Sequence, residues 1–196
     1  MKKVGTILKI VLIVAIVSVL ALLVVNMIKS DYKGLDDIAV TDNFKNAYNV
    51  STDIRTHVPG NNNGFSENGG LYAYKMVYIE QAGYLQLTVR YNEKHMDDIA
   101  DNFADFEMAK IHYVLKDNKG NTYTPVVVSQ ESKYHFQYFK LEFTGIDFTD
   151  SELTLSMVID VIDDVVGSKS SILIHTPDSE YLPYSVTAKE IEKLTK

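Results

Sequence analysis

An apolar run from Val4 to Ile28 constrains this chain more than any other feature. Only Lys9, a few small residues and Asn26 interrupt it. As a helix, some 25 residues reach about 37 Å, against a bilayer hydrocarbon core of ~30 Å. A cleaved signal has an apolar stretch of ~7–15 residues and a small-x-small exit. Here Ile10 to Val25 is 16 residues without a charge, and the exit from Leu22 to Ile28 is bulky. The best cleavage candidate, Val19-Leu20-Ala21, lies inside the run. The pattern predicts an uncleaved transmembrane helix over 4–28. Lys9 can snorkel to the headgroups. With Lys2 and Lys3 it makes the N-terminus the basic side, whereas Lys29 and Lys33 are interleaved with Asp31, Asp36 and Asp37. A cytoplasmic residue 1–3 stub and a C-terminal domain outside are expected.

All 26 acidic residues and 15 of the 19 basic ones lie at 31–196, so this part carries −11. That charge disfavours nucleic acid and anionic lipid surfaces as partners. Without Cys there are no disulfides, no thiol chemistry and no lipoprotein anchor. Thirteen Tyr and eight Phe, without Trp, suit half-buried sheet faces.

Residues 29–70 are polar and punctuated by Pro59-Gly60-Asn61-Asn62-Asn63-Gly64 and Asn68-Gly69-Gly70. They are expected to form a tether with one short strand, Asp37 to Thr41, and a mobile loop near 58–70. Period-2 patterns follow. Leu71–Glu80 and Tyr84–Tyr91 read as a hairpin around Gln81-Ala82-Gly83, with Leu85, Leu87, Val89 and Tyr91 on one face. Met96–Phe106 reads as a helical insertion. A strand resumes with Met108, Ile111, Tyr113 and Leu115, its phase shift suggesting a bulge. Asp117-Asn118-Lys119-Gly120-Asn121 is a turn from which Thr122–Ser129 pairs back. In Tyr134–Phe143 both parities are aromatic or apolar, which calls for a bulge or a change of burial. Glu152–Asp160 points Leu153, Leu155, Met157 and Ile159 inward. A polar loop, Asp163–Ser170, leads to a last strand, Ser171–His175. Thr187-Ala188-Lys189-Glu190 is a capping box, opening a short helix at 187–196 with Ile191 and Leu194 on its apolar side. Seven or eight short strands over 71–186 predict a mainly β fold, an antiparallel immunoglobulin-like β-sandwich.

No residue pattern specifies chemistry. Asp97, Asp101 and Asp105 share one face of the expected helix, and hard oxygen ligands suit Ca²⁺. One straight face cannot surround an ion, so a solvated acidic face is the simpler reading and these three are weak metal candidates. Lys119 falls among the would-be ligands of Asp117–Asn121, which makes that stretch a hairpin turn. His57, His95, His112, His135 and His175 form neither a close helical pair nor HExxH. There is no GxSxG and no phosphate-binding glycine loop. No cofactor and no catalytic residue is expected; a hydrolytic pair assembled by the fold is the one enzymatic reading kept open. Tyr72, Tyr74 and Tyr78 share a parity and are the candidate ligand surface, an aromatic platform on one sheet face.

The basic start and apolar helix are similar to type IV pilin-like proteins, but Gly5-Thr6-Ile7-Leu8-Lys9-Ile10 lacks the Glu of that pattern. Tyr84-Leu85-Gln86-Leu87-Thr88-Val89-Arg90-Tyr91 and Tyr113-Val114-Leu115-Lys116-Asp117-Asn118-Lys119-Gly120-Asn121-Thr122-Tyr123 carry a different likeness. With the layout as a whole, the chain resembles the uncharacterised, membrane-anchored β-sandwich proteins of Gram-positive bacteria. The resemblance implies topology and location and transfers no site residues. Two function classes follow. One is a non-catalytic extracytoplasmic module that binds a protein or cell-wall ligand. The other is an accessory subunit docked on a larger membrane complex through its helix, where Ala15, Ser18 and Ala21 supply small residues.

Overall fold

The structure, a computed structural model, describes residues 2–32, 35–59, 71–92, 111–133, 136–161 and 168–195. The chain divides into two compact units, Met1–Asp37 and Ile38–Lys196. In the first unit, α1 (Lys2–Tyr32) is one helix of 31 residues. Its stretch Lys9–Asn26 is exposed along its whole length and is long and apolar enough to cross a membrane.

The second unit is mainly β. Its elements are α2 (Asp42–Val50), β1 (Arg55–His57), β2 (Leu71–Ile79), β3 (Tyr84–Asn92), β4 (Ile111–Asp117), β5 (Thr122–Tyr123), β6 (Val126–Lys133), β7 (Phe136–Phe143), β8 (Leu155–Val161), β9 (Ser168–His175), β10 (Leu182–Pro183) and α3 (Ala188–Leu194). Two sheets form, ordered β10-β1-β2-β3-β7-β6 and β5-β4-β8-β9. Every strand pairing in them is antiparallel.

The alternation in β3 sets the core. Leu85, Leu87 and Val89 face inward, opposite Phe143, Leu141 and Phe139 of β7. From the second sheet, Leu115, Leu155, Met157 and Ile174 meet them in the same cluster. Burial of each such side chain is worth about 1.5–3 kcal/mol. The β2–β3 turn closes as expected, with a single 3₁₀ turn over Glu80–Ala82 and Gly83 at φ +59°.

Four expectations are corrected. The 29–70 tether is in part folded structure. Thr41 caps α2, its Oγ1 accepting from the Phe44 N–H at 3.0 Å. Phe44, Ala47, Ile54 and Ile38 pack with Val77, Ile79 and Tyr84 into a second cluster on the outer face of the first sheet. A free tether would forfeit that burial, so the folded unit begins at Ile38 rather than at 71. Asp37–Thr41 is not a strand: the Ile38 N–H and both backbone groups of Ala39 pair with side chains instead (below). Of the loop expected near 58–70, residues 60–70 lie outside the described residues.

The second correction concerns Thr122–Ser129. Only Thr122 and Tyr123 pair back on β4; Val126–Lys133 joins the other sheet beside β7. Pro125 sits at the crossing. It has no N–H to donate to a ladder, and it restricts Thr124 as well. The third is in α3: the capping box is present, but Ile191 is half exposed and the buried member is Glu190, at 1%. The fourth is the last strand, which begins at Ser168, inside the expected polar loop.

The dual parity of β7 proves to be burial on both faces. Its register against β3 runs without a shift from Leu85↔Phe143 to Asn92↔Phe136. Phe139, Leu141 and Phe143 face the second sheet, while Tyr138, Lys140 and Glu142 are buried on the outer face.

Candidate functional site

The outer face of the first sheet has two differently built halves. One half is a polar network under residues 38–43. Glu142, 2% exposed, accepts from Tyr84 Oη at 2.9 Å, from Asn43 Nδ2 at 2.7 Å and from the Thr41 hydroxyl. Gln86 takes the Ala39 N–H on Oε1 at 2.8 Å and donates from Nε2 to the Ala39 carbonyl at 3.1 Å. The Ile38 N–H reaches the Glu190 carboxylate. Gln86 and Glu190 thus satisfy backbone groups of Ala39 and Ile38, which have no strand neighbour, while Glu142 holds the side chains of Thr41 and Asn43. Burial, with the Glu142 carboxylate adding to it, pushes the Tyr84 phenol far up, so it stays a donor. A cavity of about 240 Å³ beside α2 is lined by Asn43, Asn46, Ala47, Val50, Ala82, Tyr84 and Thr144. It holds no titratable pair suited to catalysis.

The other half is aromatic. A bulge between Ala73 and Lys75 inserts one residue into β2. Before it, Tyr72 pairs with Arg90 on the outer face. The Arg90 guanidinium carbon lies 5.0 Å from the Tyr72 ring centroid and 4.9 Å from that of Phe136. Tyr74 meets Tyr138 edge-on at 6.2 Å, and Phe136 is 6.4 Å from Tyr138. β3 lies between β2 and β7, so rings reach the cation from both neighbouring strands.

The expected Tyr72, Tyr74 and Tyr78 face therefore does not exist as one surface. The bulge reverses the parity, a one-residue insertion that sends every later side chain to the opposite face. Tyr78 is 3% exposed and stacks on Phe148 at 4.9 Å in the inter-sheet core. Tyr72 and Tyr74 remain on the outer face, half-buried beside Arg90. Sequence reasoning missed Arg90, Phe136 and Tyr138 as their companions. The alternation of Arg90 with Val89 and Tyr91 was the usable signal, but the strand order was not readable.

A third cluster joins two histidines that the sequence left scattered. The Tyr181 ring lies 5.2 Å from His57 and 5.4 Å from His175. The Tyr181 hydroxyl and His175 Nδ1 are hydrogen-bonded to each other, and His57 Nδ1 donates to the Glu180 carbonyl at 3.0 Å. Burial, assisted by the nearby His57, lowers the His175 pKa to about 4. Burial pushes Tyr181 up to about 12. Both are therefore neutral at ordinary pH, a packed aromatic cluster rather than an acid–base pair.

Asp97, Asp101, Asp105, His95 and His135 lie outside the described residues; His112 is in β4. Among the described residues no group of three or more His, Asp or Glu is placed to hold a metal. Asp117 is a turn residue. Desolvation would raise its carboxyl, but hydrogen bonds from Asn121, Tyr123 and Lys119 outweigh it and hold the carboxyl below its ordinary range. No protein-family model, no curated protein and no solved structure matches the chain.

Proposed function

We propose that the protein is a membrane-anchored extracytoplasmic binding module, non-catalytic, for a protein or cell-wall ligand. The ligand binds on the aromatic half of the outer sheet face around Tyr72, Tyr74 and Arg90. The single observation behind the site is the bulge-built cluster in which rings from two strands flank a half-buried cation. Aromatic side chains and Arg are the residues that dominate binding interfaces. The anchor reading rests on α1, whose exposed stretch is apolar on every side, as a helix facing lipid must be. We read the fold as immunoglobulin-like. With β2 to β9 lettered A, B, C, C′, D, E, F and G, the strand orders become A-B-E-D and C′-C-F-G, which supports that class. β1 and β10 then extend the A edge.

Two measurements test the reading. Mass spectrometry of the mature protein should find the N-terminus at residues 1–3, with a C-terminal tag cleavable by protease added outside cells. A new N-terminus between residues 19 and 30 refutes the anchor. Capture of ligand from the cell envelope should then be lost in the Tyr72→Ser, Tyr74→Ser double variant and retained when residues 1–30 are removed. Capture that needs the helix and ignores both tyrosines replaces this reading with the docked-subunit alternative.

A further inference from the structure

We infer that Arg90 is the receptor for a single carboxylate carried on an apolar or aromatic group of the ligand. The inference rests on the binding reading above and names the chemistry of that same face.

The chain has two arginines, Arg55 and Arg90. They are used differently. Arg55 is paired with Asp53 and with Glu80, each at 3.1 Å. Among the described residues no carboxylate pairs with Arg90. Glu131 shares its cross-strand row, but Tyr138 stands between them in the register Arg90↔Tyr138↔Glu131. In a domain of net charge −11, an arginine without an acid among the described residues calls for a reason.

The rings of Tyr72 and Phe136 hold the cation by its π faces. Ring contacts attract the charge but do not satisfy N–H donors. Arg90 Nε is shielded from solvent and has no hydrogen-bond partner among the described residues. A buried donor in that state is costly, because it has given up water and gained no acceptor. The two ring contacts position the guanidinium beforehand, which removes part of the entropy cost of binding. A carboxylate matches the guanidinium fork with two parallel hydrogen bonds, and a charge-assisted pair of this kind is the strongest available to it. Tyr72 and Tyr74, half-buried beside the guanidinium, offer ring surface to whatever carries the carboxylate. The domain charge selects against a polyanion, whose added charges would meet only repulsion. One carboxylate next to an apolar group is the charge that one unpaired arginine neutralises.

The test uses the full chain in neutral detergent micelles with two probes, N-acetyl-phenylalanine and its uncharged twin N-acetyl-phenylalaninamide. Ligand-observed NMR titration should show the acid binding at least tenfold more tightly than the amide. Arg90→Gln should lower the acid to the level of the amide, and Arg90→Lys, which keeps charge without the fork, should retain an intermediate affinity. Circular dichroism of both variants checks that they are folded. Equal binding of acid and amide, no binding of either, or unchanged acid binding in Arg90→Gln overturns the inference. Displacement of the acid by equimolar inorganic phosphate also overturns it, because the site would then take anions in general. None of these results touches the envelope capture that depends on Tyr72 and Tyr74, so failure here is distinguishable from failure of the binding reading.

Discussion

The backbone N–H of Ile38 donates to the carboxylate of Glu190, 152 residues further along the chain. The same carboxylate accepts from Tyr184 Oη at 2.8 Å and from the Thr187 N–H at 2.7 Å. One side chain therefore completes the cap of α3 and fastens the first residue of the folded unit to its last helix. Val77 and Ile79 of β2 lie under both, in the cluster that Ile38 and Leu194 share.

Glu190→Ala removes the acceptor for three donors, at least one of them in a buried bond. Loss of a cap costs ~1 kcal/mol, and a stranded buried donor adds about 1–3 kcal/mol. The expected destabilisation is about 2–4 kcal/mol in urea unfolding of the full chain in micelles. Glu190→Gln keeps one acceptor oxygen and should lose roughly half of that. A loss below about 0.5 kcal/mol for the alanine variant would mean that Ile38 is not part of the cooperative unit.

Gly83 is the turn position where glycine is required twice over. Its φ of +59° is left-handed, and a Cβ there would stand 2.6 Å from the Ile146 carbonyl oxygen. Ile146 cannot simply retreat, because its N–H donates to the Gly83 carbonyl at 3.1 Å. Gly83→Ala should therefore cost about 2–3 kcal/mol, the sum of left-handed strain and a backbone displacement. Gly120, at φ +87° with open space around it, is the internal control and should lose only about 1 kcal/mol as Ala. Thermal melts of the two variants side by side decide it; equal losses would remove the steric argument.

The strands with clean alternation were legible. Leu85, Leu87 and Val89 signalled one buried face and one polar face, and that is where the core lies. β7 was ambiguous because its second face also has partners, Thr41 and Asn43 on Glu142 and Tyr74 on Tyr138, a long-range fact that no local pattern carries. α2 itself was hidden in a polar composition: only Phe44, Ala47 and Tyr48 face the sheet across its nine residues. The candidate site was half legible. Tyr72 and Tyr74 were named, but a single bulge put Tyr78 on the other face. Bulges follow from pairing geometry, so parity counted along one strand misses them. Arg90 gained its meaning only when β2 and β7 were seen on either side of it.

His175 makes the stability of the folded unit fall toward acid pH. In the unfolded chain its pKa is near 6.5, and in the fold burial and the neighbouring His57 lower it to about 4. As pH falls, the unfolded state therefore takes up the proton first, and stability drops with it. The contribution is whole above about pH 6.5, declines between there and pH 4, and changes no further below. Protonation also puts a charge on a ring that is hydrogen-bonded to Tyr181 and packed against the rings of Tyr78 and Phe148. Allowing for the ring's partial contact with solvent, the loss is on the order of 2 kcal/mol. Carboxylates titrate in the same range, so the comparison must be with His175→Phe, which keeps a ring and cannot ionise. Urea unfolding at pH 7.5 and 4.5 should show the stability gap between the native chain and the variant shift by that amount in favour of the variant at low pH. Parallel pH dependence in the two proteins would show that His175 is not the group that titrates.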